Sequence, residues 1–240
     1  FSHNPYLIFV VSFICAGCTL VYENTVHGDR EALWGICVYG FVSEVFFTDI
    51  SSIISVYYTA PDACVINGPN FDLVFFTTAA ATTAGLVGVI VSVVKARHFS
   101  PLSTRFLVQI ANLLRILGST SDIAVAKGWN TRIGLSNQWA FLLGDAIVNP
   151  IGLMISTIAL ASFSSQTVYK NRETVTYAIV TSWQNLGVAV SRVLGLTLMH
   201  MLQVSADMDT GCNFDNYVPL LVLAHIVLPA FNIPLSYLLV

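Results

Sequence analysis

The chain has 240 residues with a formal net charge of −3; 55% of them are hydrophobic and only 10% charged, and the mean hydropathy is +0.75. An ordinary soluble domain is about 25% charged, so a water-soluble fold is excluded and repeated membrane spanning is the first expectation. In such a chain the placement of charge matters more than its sum, and no basic patch supports nucleic-acid binding.

A spanning helix needs about 20 mainly apolar residues. Seven stretches reach that length within boundary error: 6–22, 32–58, 73–94, 104–126, 138–163, 174–202 and 218–240. Pro61, Gly68-Pro69, Pro101, Gly128, Gly134 and Gly211 punctuate their boundaries. The fold class is therefore all-α, a polytopic transmembrane helical bundle. No soluble domain fits between the spans. The chain opens on Phe1 and closes inside the apolar run from Ile233 to Val240, so it is read as a portion of a longer protein.

Short loops assign the sides, because basic residues collect in the cytoplasm. Arg30, Lys95, Arg97, Arg105, Lys170 and Arg172 share one side. The other holds Lys127 and Arg132 among Asp62, Asp72, Asp207, Asp209 and Asp215. The first side is expected to be cytoplasmic, with the C-terminus there too. This polarity gives residues 31–240 the arrangement of the second six-helix half of a transporter, and residues 1–30 a preceding helix with a short cytoplasmic loop. Cys64 and Cys212 fall in outer loops, where they could pair as a disulfide or remain two thiols. Cys15, Cys18 and Cys37 sit in apolar helices and read as packing residues.

Charges inside the spans carry the functional signal, since each costs roughly 2.5–3.5 kcal/mol at the bilayer centre on insertion scales. They are Glu44, Asp49, Arg115, Asp122, Asp145 and Arg192. Arg115, Gly118 and Asp122 are spaced i, i+3, i+7 and share a helix face. Glu44, Arg115 and Arg192 fall near mid-span, where a guanidinium fork can grip a carboxylate with two hydrogen bonds. The alternative is a set of structural ion pairs between helices. Gly187, Ser191 and Gly195 recur every fourth residue, and the run 79–85 ahead of Gly88 is rich in Ala, Thr and Gly; both patterns mean close helix packing. Pro150, Pro229 and Pro234 lie within spans and should kink them. His200 and His225 are isolated on apolar helices, so no metal site can be argued, and no phosphate loop or Ser/His/Asp arrangement is present to suggest an enzyme or a cofactor.

The loops add a family resemblance. The stretch from Tyr58 through Pro61-Asp62, Cys64, Gly68-Pro69 and Phe71 resembles the outer loop of the folate-biopterin transporter family, a branch of the major facilitator superfamily, and especially its trypanosomatid members. Asp122-Ile123, Lys127 with Trp129-Asn130, and Ile133-Gly134 are similar to the family's loop before its tenth helix. Leu143-Gly144-Asp145-Ala146-Ile147 resembles its Gly-Asp motif, and Glu173 to Ala178 with Gln184-Asn185-Leu186-Gly187 its eleventh helix. Cys212-Asn213-Phe214-Asp215-Asn216, Leu228-Pro229 and Pro234-Leu235 complete the series. The chain departs from the family pattern at Gly128, at Leu135-Ser136-Asn137 and over residues 164–171.

The resemblance runs from about Trp34 to the end. It implies a twelve-helix carrier whose first half is largely missing here, with the stretch 6–22 as the sixth helix or a remnant near it, resident in the plasma membrane, moving folates or pterins by alternating access with protons as partner. On that reading Arg115 and Arg192 attract the glutamate carboxylates, Asp145 and Asp122 accept from pterin N–H groups, Gln184 and Asn185 add neutral hydrogen bonds, and Glu44 is the proton site. The alternatives are a carrier of the same superfamily for another small organic anion or nucleoside-like solute, an inactive fragment, and, from another class, a seven-span receptor.

Overall fold

The structure, a computed structural model, describes residues 30–65, 68–98, 103–167, 173–207 and 211–239. The span expected at 6–22, with Cys15 and Cys18, lies outside the described residues.

Among the described residues six apolar segments form the bundle. The first is broken into α1 (Arg30–Phe46) and α2 (Ser51–Thr59). The second runs from a π-helical turn, Phe75–Ala79, into α3 (Ala80–His98). The third is α4 (Thr104–Ala126), and the short helices α5 (Trp129–Arg132) and α6 (Asn137–Phe141) lead to the fourth. That segment passes through a π-helical turn, Leu142–Val148, into α7 (Asn149–Thr167). The fifth is α8 (Glu173–Met201). A small hairpin of β1 (Ser205–Asp207) and β2 (Gly211–Asn213), antiparallel with Ala206 opposite Cys212, then leads to the sixth. This last segment comprises α9 (Tyr217–Val222), a π-helical turn Leu223–Val227, α10 (Leu228–Ala230) and α11 (Asn232–Leu239).

Four stretches among the described residues are long and apolar enough to cross a bilayer: Leu33–Thr59, Phe75–Val94, Asn137–Phe163 and Tyr217–Tyr237. At 23 and 29 residues α4 and α8 have the same reach but carry the charges Arg115, Asp122 and Arg192. Within lipid every polar group must find a partner inside the protein. Accordingly the hydroxyls of Thr83, Ser92, Thr157, Thr181, Ser182 and Thr197 each donate to the carbonyl one turn back.

Local chemistry explains the breaks. Asp49 accepts from the Ser51 backbone N–H at 3.1 Å and from its hydroxyl at 2.7 Å, a local turn that competes with helix and interrupts a span read from hydropathy as continuous. Pro150 and Pro229 have no N–H for the helical ladder, and each follows a π-helical turn that absorbs the mismatch. Ser103 and Ser136 cap α4 and α6 by accepting from Phe106 N and Trp139 N. Gly128 ends the run after α4 in the left-handed region at φ 64°, a conformation that costs glycine little.

Helices pack pairwise, α1 along α8 and α4 along α7, with α3 against α7 and α11 against α1 and α4. Glycines set the approach. Gly187 faces the Phe41 carbonyl and Gly195 faces the Asp49 carbonyl so closely that a Cβ would overlap either oxygen, and Gly144 does the same against Ser121. The stripe on α3 behaves differently: Gly88 meets Met154, but Gly85 has open space around it.

One buried core joins α2, the loop after it, α6 and α9, with Tyr58 stacked on Phe71 at 5.2 Å and Tyr57 on Tyr217 at 4.2 Å. A second gathers Ile36, Tyr39, Val108, Leu160 and Val180, with Cys37 buried among them. Cys64 and Cys212 form a disulfide with Cα atoms 5.3 Å apart, tying the loop after α2 to the hairpin after α8. That spacing is ordinary for such bridges.

Candidate functional site: a charged cavity at the helix break

The break between α1 and α2 opens onto a cavity of about 590 Å³. Glu44, Asp49, Arg115, Asp145, Asn149, Ser191 and His225 supply its polar wall, and Phe47, Ile54, Phe76, Phe141 and Leu153 much of its apolar one. Ligand sites usually fall between about 300 and 1,000 Å³ and are mostly apolar with a few placed polar groups. This chamber meets both conditions.

One ion pair lies in its wall and a second borders it through Asp49, Arg192 itself standing outside the lining. Arg115 Nη1 stands 3.9 Å from Glu44 Oε1, with the two side chains 16% and 18% exposed. At that distance they attract but do not hydrogen bond, so Glu44 leaves the guanidinium N–H groups unspent. The guanidinium lies over the Phe47 ring, 3.6 Å from its centroid, which fixes its plane. Arg192 Nε donates to Asp49 Oδ2 at 3.0 Å, joining α8 to the break in the first span. This pair is half-open to solvent. Both guanidiniums therefore have carboxylate partners that an incoming carboxylate could displace.

The acidic residues divide. Asp145, on the π-helical turn before α7, lines the cavity and accepts from Asn149 Nδ2 at 2.8 Å. Asp122 does not line it: only 1% exposed, it lies behind Asp145 and accepts from the Tyr58 hydroxyl at 2.5 Å. The shared face expected for Arg115, Gly118 and Asp122 is thus split, Arg115 entering the cavity, Gly118 admitting Asn149 at close range and Asp122 reaching α2. Gln184 packs on Gly40 of α1 and Asn185 is exposed; neither lines this cavity. Among the described residues no three His, Cys, Asp or Glu side chains gather as metal ligands.

Sequence reasoning left three contributors unassigned. Asp49 was noted as a charge within a span but given no role, Tyr58 read as part of a loop motif, and His225 as a lone structural histidine. His225 does hydrogen bond the Thr48 backbone at the break, while its Nδ1 is buried beside the cavity with no partner. The available signal was an acid followed two residues later by serine inside an apolar run, a helix-start pattern.

Comparison with curated proteins and with solved structures found no match. A family model does match, spanning residues 10–240, nearly the whole chain, including every residue of the charged cavity. It describes transporters rather than enzymes, which agrees with apolar helices long enough to cross a membrane. The chain accordingly belongs to the BT1 family of folate-biopterin transporters and is a membrane protein.

Proposed function

We propose that this protein carries folates or pterins across the plasma membrane by alternating access, as the second half of a twelve-helix carrier, with protons as the coupling ion. The observation that carries the reading is one cavity with the Arg115 guanidinium and the Asp145 carboxylate in its wall, and a second guanidinium, Arg192, bordering it through Asp49. A folate is complementary to that layout, with glutamate carboxylates at one end and a pterin ring rich in N–H donors at the other. Arg115 and Arg192 would take the carboxylates, and Asp145 would accept from the pterin. Asp122 would act through Asp145, which it backs. Gln184 and Asn185, outside this chamber, would contribute at another stage of the cycle or against the first half.

Broken helices with charged groups at the break are how many carriers build a midplane site, and the first span is broken at Asp49. Glu44 would couple through Arg115: a substrate carboxylate on Arg115 takes the counter-ion from Glu44, which then accepts a proton. The test is uptake of labelled folate and biopterin by cells expressing the full-length protein. Saturable uptake of at least one, competed by the unlabelled compound, is the expected result. Saturable uptake of neither overturns the assignment, and competition by unrelated small anions alone would move it to another solute.

A further inference from the structure

We infer that Asp122, Asp145 and Tyr58 form a proton-binding site separate from Glu44, occupied by one proton when the cavity is empty. The inference begins with hydrogen-bond accounting. Asp122 is buried, and its Oδ1 accepts the Tyr58 hydroxyl. Its other oxygen, Oδ2, is also buried and receives no N–H or O–H donor from the described residues. The carboxyl group of Asp145 interacts with it from the π-helical turn, which packs closely on α4 where Gly144 meets Gly118 and Ser121. An ionised carboxylate only accepts; it donates solely when it carries a hydrogen. Two carboxyl groups in contact therefore need one proton between them, or they repel in a site without water.

Among the described residues no cation is placed to take the proton's role. The titratable groups facing the pair are Tyr58 on α2 and Tyr217 on α9, whose hydroxyl is buried without a partner among the described residues; Tyr57 stacks on Tyr217. Arg115 stands two turns earlier on α4 and is engaged with Glu44 and Phe47, while Arg192 is held by Asp49. His225 and the carboxylates Glu44 and Asp49 line the cavity beyond Asp145. The site joins three elements at the disulfide-bridged end of the bundle: α2 through Tyr58, α4 through Asp122, and the π-helical turn before α7 through Asp145. A proton holds them together and its loss forces the two carboxylates apart. Resting on the folate or pterin reading, a pterin N–H donor at Asp145 would compete with Asp122 for the same oxygens, which links substrate to proton.

The experiment needs no substrate, so its failure is distinct from failure of the transport assignment. Infrared difference spectra of the purified full-length protein in lipid, recorded between neutral and alkaline pH, report the carbonyl stretch of a protonated carboxylic acid. The expected result is one such band, lost in Asp122→Asn and in Asp145→Asn, retained in Glu44→Gln, and shifted in frequency in Tyr58→Phe because the hydrogen bond to the pair has changed. Both Asn replacements are near-isosteric, and retained thermal stability shows that they fold. A band that survives both, or that disappears only in Glu44→Gln, overturns the proposal. So does a band abolished at constant pH by sodium, which would make the site one for a metal cation.

Discussion

Replacing Arg115 by alanine is expected to abolish uptake and to lower stability by about 3 kcal/mol, the lower end of the range for breaking a buried ion pair. The lower end applies because both partners keep some exposure, 16% and 18% of their side chains. The loss has two sources. Glu44 is left in the cavity wall without its counter-ion, and the Phe47 ring loses the guanidinium that covers it. The sources separate in a second variant. Arg115→Met with Glu44→Gln removes both charges, so thermal unfolding in detergent should recover most of the stability while uptake stays absent. Equal loss of stability in single and double variants would mean that packing, and not charge, decides. Arg115→Lys should keep the charge but lose the planar fork that stacks on Phe47, giving a protein that folds and transports poorly.

A comparable effect is expected from one methyl group added where α8 crosses the helix break. In Gly195→Ala the new Cβ overlaps the backbone carbonyl of Asp49 and comes within 3.3 Å of the Ile50 side chain. A backbone carbonyl cannot rotate away, so α8 must move off the break. Overpacking of this kind costs about 1–3 kcal/mol. The displacement also draws Arg192, one turn earlier on α8, from Asp49, a hydrogen bond now 3.0 Å long. Uptake should therefore fall more steeply than stability. Gly85→Ala is the control: nothing lies near its Cβ, so unfolding temperature and uptake should both stay close to those of the unsubstituted protein.

Hydropathy made the bundle legible, because lipid requires about 20 apolar residues in a row wherever a helix crosses. The same signal hid the break at Asp49. Phe46, Phe47 and Ile50 keep the run apolar, and the interruption comes from a short side-chain-to-backbone turn that an average over 18 residues cannot register. Glycine spacing on α8 was legible because residues four apart share a face, and that face does pack on α1. On α3 the equivalent stripe was misleading at Gly85, since small residues allow contact without creating a partner. Helical spacing likewise placed Arg115 and Asp122 together but could not say that one would meet Glu44 and the other Tyr58. Those pairings, and Arg192 with Asp49 across 143 positions, depend on how helices are arranged around each other, which no local rule encodes.

The account rests on Arg192 and Arg115 receiving the carboxylates of the substrate while Asp145 receives the ring. Equilibrium binding to the purified full-length protein tests this with two ligands that share a pterin ring, folate and biopterin, of which only folate carries a glutamate. In Arg192→Ala, folate binding should weaken at least tenfold, the equivalent of about 1.4 kcal/mol, and biopterin binding should be unchanged. If both ligands weaken equally, or neither does, the carboxylates do not bind at Arg192 beside this cavity and the assignment of the site is contradicted.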